Sequence, residues 1–118
     1  MDTRAMETRA IDNRHHRRFK LAVEIRVGSR SGGLLKGETV DISESGISAL
    51  LKIEVPVGEL VQLEFTLPFG AVKTYAMVRQ RNAFRYGFQF VIESDSVKEA
   101  IRATCNDLAV KQSLLGEL

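Results

Sequence analysis

From Phe19 onward the chain alternates. Phe19, Leu21, Val23, Ile25 and Val27 fall on one side of a period-two pattern, and Lys20, Ala22, Glu24 and Arg26 on the other. A strand with one buried and one wet face has this period, because successive side chains point to opposite faces. Strands are predicted over 19–27, 34–42, 47–55, 60–67, 71–81 and 84–92. Glycines and prolines punctuate them: Gly32-Gly33, Pro56 with Gly58, Pro68 with Gly70. A hairpin turn is expected near Asn82-Ala83. Six short strands at this spacing predict an all-β fold, a six-stranded antiparallel barrel, since closure removes exposed strand edges.

The period then changes. Val97, Ala100, Ile101, Thr104, Cys105 and Leu108 recur at helical spacing. Ser96-Val97-Lys98-Glu99 has the S-x-x-E form of a capping box. An amphipathic C-terminal α-helix laid on the barrel is the expectation. Leu114-Leu115 either extends it, meets a partner or frays. The organisation expected is a flexible basic arm over residues 1–18, a barrel over 19–93, and a helix and tail over 94–118.

A chain of 118 residues builds one core, not two. Its net charge of +2 is unevenly spread. Residues 1–20 carry six basic and three acidic side chains, a net +3, which leaves −1 on the remaining 98. An anionic ligand is therefore met by the arm. The arm has little apolar surface to bury, so it is expected to order only on binding. No apolar run approaches the ~18 residues of a membrane span, and the charged N-terminus does not read as a secretory signal. A cytoplasmic location without membrane contact is expected. Cys105 is the single cysteine, without an internal disulfide partner, and is expected to pack as a small hydrophobe.

Two short motifs carry chemistry. Arg14-His15-His16-Arg17-Arg18 is an R-x-x-x-R, and Asp41-Ile42-Ser43-Glu44-Ser45-Gly46 is a D-x-S-x-x-G. Arginine offers a planar, permanently charged fork that matches phosphate oxygens and the O6 and N7 acceptors of guanine. Asp41 can accept from guanine N1–H and N2–H₂, and Ser43 adds a hydroxyl. Gly46 permits a left-handed turn or a close backbone approach. Together these groups suit a ligand with both phosphates and guanine edges. Asp41 and Ser43 are equally ordinary turn residues that bond their own backbone. His15 and His16 lack a third metal ligand nearby and read as solvated. Tyr86, Phe88 and Phe90 share a face and read as core. Arg79, Arg81 and Arg85 either face a ligand or are simply solvated. No nucleophile–base pair, phosphate loop or zinc spacing is present, so neither an enzyme nor a metal or cofactor site is expected.

In this order, followed by Phe19 and an alternating strand and later by Tyr86-Gly87-Phe88-Gln89-Phe90, the motifs resemble the PilZ domain family. These are bacterial receptors for the second messenger cyclic di-GMP. The resemblance runs from residue 14 to about 108. It implies Arg14 and Arg18 as the arm's ligand contacts, and Asp41, Ser43 and Gly46 as the barrel's. Arg17 can add a further fork. Registering the first motif from Arg17 would put Leu21 at its fifth position, which favours 14 and 18. The resemblance implies a signal passed by ordering of the arm to an unidentified protein partner, in motility, polysaccharide export or biofilm formation. Two alternatives stand beside it: a degenerate adaptor that binds protein and no nucleotide, and a small barrel that binds single-stranded nucleic acid through a basic arm. The near-neutral body and eight aromatic residues speak against DNA or RNA as a partner.

Overall fold

The structure, a computed structural model, describes residues 16–116. Arg14 and the rest of the expected arm up to residue 15 lie outside the described residues, as do 117 and 118. The strands are β1 (Phe19–Lys20), β2 (Glu24–Ser29), β3 (Gly33–Ile42), β4 (Gly46–Leu51), β5 (Leu60–Leu67), β6 (Gly70–Asn82) and β7 (Arg85–Ile92). The helix α1 spans Asp95–Gly116. Strand order is β3-β2-β5-β6-β7-β4, and β4 pairs back onto β3, which closes a six-stranded antiparallel barrel. Among the described residues the extra strand β1 pairs with β3 alone, Phe19 with Ile42 and Lys20 with Asp41.

Alternation builds the interior. Ile25, Val27, Ile47, Val61, Leu63, Val72 and Val78 are buried, as are Tyr86, Phe88 and Phe90. The aromatic face of β7 is thus core. Each strand turns where its residues allow. Gly33 (φ 75°), Gly70 (φ 149°) and Ala83 (φ 58°) sit at hairpin ends in the left-handed region.

Three boundaries differ from the sequence expectation. The predicted first strand is interrupted between Lys20 and Glu24, because Thr39 of β3 inserts its hydroxyl into the ladder. Val23 N–H donates to Thr39 Oγ1 at 2.9 Å, and that hydroxyl donates to the Leu21 carbonyl. The predicted third strand stops at Leu51, where its neighbour turns away: Leu51 N–H donates to the Phe84 carbonyl at 2.9 Å, and β7 begins only at Arg85. Val55 stays in the core through a different bond, its N–H to the Tyr86 hydroxyl at 3.1 Å. The helix is capped by Ser94, not Ser96. Ser94 Oγ accepts from Val97 N–H at 3.3 Å, and Glu99 pairs with Arg102 instead of reaching back.

Helix α1 packs on β5, β6 and β1. Val97, Ala100, Ile101, Thr104 and Cys105 are buried on its inner stripe. Its last turns cover the open edge of β1. Gln112 accepts from Lys20 N–H at 3.2 Å and donates to the Lys20 carbonyl at 2.8 Å.

At the far end of the β2–β3 hairpin, Glu59 accepts from the Ser29 and Ser31 hydroxyls and from Arg30 N–H. These bonds, led by Ser29, hold its carboxyl below the ordinary value of 4.5. A folded pKa below the unfolded one stabilises the fold above the unfolded value, and that contribution fades as pH falls through the folded value. Glu59→Gln is therefore expected to melt below wild type at neutral pH, with the gap closing as pH falls below the ordinary carboxyl value of 4.5. Thermal melts of both proteins across pH check it; a gap independent of pH would place the effect elsewhere.

Candidate functional site

The site is built on the outward face of β3, β4 and β7. Phe19 is buried, so its neighbours Arg18 and Lys20 point out. Asp41 lies in register with Ser48 across β3–β4, and Ser48 with Gly87 across β4–β7. Arg85 stands two residues from Gly87 on the same face of β7.

Arg18 gathers three of these groups. Its Nε and Nη2 both lie 2.8 Å from Asp41 Oδ1. Nη2 also donates to Ser48 Oγ at 3.1 Å, and Nη1 to Ser43 Oγ at 3.4 Å. Arg85 Nη2 donates to Asp41 Oδ2 at 2.6 Å. The Asp41 side chain is only 14% exposed, against 44% for Arg18 and 51% for Arg85. One largely buried carboxylate thus holds two guanidinium groups at the surface. Charge-assisted bonds of this kind are about twice as strong as neutral ones.

Ser43 is fully buried and organises the turn. Its N–H donates to the Gly46 carbonyl at 2.8 Å, and its Oγ accepts from Ser45 N–H at 3.2 Å and Gly46 N–H at 3.1 Å. The turn role of this serine and its contact with Arg18 coexist. Gly46 is not in the left-handed region. The close approach it permits is to the protein's own backbone: a Cβ there would sit 2.3 Å from the Phe88 carbonyl oxygen.

Arg17 points away from this cluster. Its guanidinium lies over the Phe19 ring, 5.2 Å from the centroid. There it lines a pocket with His16, Glu44, Cys105 and Asn106, between the N-terminal segment and α1. The Cys105 thiol is pushed up to about 11, first by burial and then by the Glu44 carboxylate, with Arg18 opposing. It is a packed, protonated thiol at neutral pH. Among the described residues no cluster of three or more His, Cys, Asp or Glu side chains is placed to hold a metal.

Of the residues read from sequence, Arg18, Asp41 and Ser43 come together, and Gly46 forms the turn beneath them. Arg17 stands apart, and Arg14 lies outside the described residues. Ser48 was missed and Arg85 left open. Ser48 carries a weak signal, a polar residue between Ile47 and Ala49. Arg85 carries none, because its place depends on strand register.

A family model described as the PilZ domain matches residues 12–107. Among solved structures, the chain is similar to the Escherichia coli PilZ domain of YcgR with c-di-GMP. The identity is 16% and the TM-score 0.68, over 87% of this chain and 96% of that one. It is similar to the PilZ domain of CeSA from a cellulose synthesizing bacterium, at 14% identity and TM-score 0.63, over 79% and 98%. It is also similar to the K. pneumonia MrkH–c-di-GMP complex, at 16% identity and TM-score 0.70, over 84% of this chain and 52% of that one. At these identities the likeness is one of fold. No curated protein sequence matches the chain.

Proposed function

The chain belongs to the PilZ domain family, and from that premise we propose that it is a receptor for cyclic di-GMP. One observation carries the reading: Arg18 gathers Asp41 and Ser48 on the outward face together with Ser43 in the buried turn beside them. A fork, a carboxylate and hydroxyls are the groups that guanine edges and phosphates require. The names of two similar structures record bound c-di-GMP, which supports the choice of ligand. In this reading Arg14 and Arg18 fork onto the ligand, and Asp41 takes guanine N1–H and N2–H₂. Ser43 and the backbone at Gly46 complete the barrel side. Arg17, stacked on Phe19, steadies the arm beside the site. The output is conformational: Arg18 already anchors the end of the arm to the barrel, and bound ligand adds Arg14 and the segment before it and presents the joined surface to a protein partner.

Calorimetric titration tests this. Wild type is expected to bind cyclic di-GMP saturably, and a single-stranded oligonucleotide only weakly and with strong salt dependence. Arg18→Ala is expected to weaken cyclic di-GMP by about 1.5–3 kcal/mol, the range for a hydrogen bond to a charged group. Unchanged affinity in this variant would remove Arg18 from the site. No binding by wild type would leave the adaptor that recognises protein alone.

A further inference from the structure

Asp41 holds Arg18 on Oδ1 through two nitrogens and Arg85 on Oδ2 through one. A guanine edge presents two parallel donors, N1–H and N2–H₂, and fits a carboxylate through both oxygens. Guanine therefore competes with both arginines, with Arg18 on Oδ1 and with Arg85 on Oδ2. The two are unequal. Arg18 is tied further to Ser43 and Ser48, whereas among the described residues Arg85 bonds Asp41 alone and is half exposed. Giving up Asp41 costs Arg85 the one bond it makes among the described residues, and it costs Arg18 two of four, leaving Arg18 held by Ser43 and Ser48 with donors free for the ligand.

Charge says where the freed guanidinium goes. A guanine on Asp41 is neutral, so Arg85 is left without its counter-ion beside a ligand with two anionic phosphodiesters. Within the described cluster Arg18 and Asp41 cancel, and Arg85 leaves it with a net charge of +1 facing the anionic ligand. We propose that Arg85 is a third ligand-binding arginine. It guards Asp41 Oδ2 in the free protein, hands that oxygen to guanine, and turns onto the adjacent phosphodiester. The inference rests on the cyclic di-GMP reading and adds to it a residue outside both motifs.

The test titrates wild type, Arg85→Gln and Arg85→Lys with cyclic di-GMP at about 0.05 M and about 0.5 M salt. Arg85→Gln is expected to bind about 10-fold more weakly at low salt, with a shallower loss of affinity as salt rises. Arg85→Lys, which keeps the charge but not the fork, is expected within about 3-fold of wild type and with its salt dependence. Two outcomes overturn the proposal. Arg85→Gln binding as tightly as wild type or tighter would make Arg85 only a competitor for Asp41. Weaker binding with wild-type salt dependence would confine it to positioning that carboxylate. If wild type itself binds no cyclic di-GMP, the receptor reading falls first and this inference falls with it.

Discussion

Cyclic di-GMP is expected to bind this protein at least about 30-fold more tightly than cyclic di-AMP, although both carry the same two phosphates. Adenine presents an N6 amino donor where guanine presents O6, and it lacks the N2 amino group. With adenine, the Arg18 fork faces a donor instead of an acceptor, and Asp41 loses the donors that would replace Arg85. Each mismatched polar pair held in the site costs ~1–3 kcal/mol, and two give roughly the discrimination stated. A basic arm acting through charge alone would bind both dinucleotides alike and release both steeply with salt. Equal affinities in about 0.15 M salt would therefore overturn the site assignment. Asp41→Ala sharpens the test, because it removes the guanine-reading carboxylate while leaving both arginines. Its selectivity is expected to collapse further than its attraction to phosphate.

Gly46→Ala is expected to destabilise the fold by about 3 kcal/mol, at the upper end of the usual cost of overpacking. The new methyl would meet the Phe88 carbonyl oxygen at 2.3 Å, and that oxygen is held in the β4–β7 ladder. Neither partner is a flexible tip. The clash is relieved only by separating two strands that complete the barrel and support Ser48 and Arg85. Ligand affinity should fall with stability. Gly87→Ala on the same ladder is the control. Its methyl would meet the Gln80 side chain at 2.9 Å, which can swing aside, so the expected cost is below about 1 kcal/mol. Urea denaturation of both variants measures the contrast; equal costs would show that the contact at Gly46 is not rigid.

Much of the fold is legible in local pattern. β5 reads as a strand because Val61, Leu63, Phe65 and Leu67 are buried and the residues between them are not. The inner stripe of α1 is legible for the same reason at helical period. The breaks are less so. Nothing near Leu21 announces the interruption of the first strand, since its cause is the hydroxyl of Thr39. Ser94 and Ser96 are both good caps by type, and the path of the chain leaving β7 chooses between them.

The site shows the same division. The chemistry of Arg18, Asp41, Ser43 and Gly46 belongs to their side chains and follows from sequence alone. The outward aim of Asp41 does not. In an unbroken strand, residues 35, 37, 39 and 41 share a face, and Leu35 and Thr39 are buried, so regular alternation would drive Asp41 into the core. Val40 is an extra residue: Thr39 pairs with Ala49, but Asp41 pairs with Ser48. This bulge turns Asp41 out beside Arg18 and Arg85 and returns Ile42 to the interior. A bulge is set by which strand lies alongside and in what register. Those are long-range choices made by closing the barrel, and so the tertiary structure alone placed the carboxylate between its two arginines.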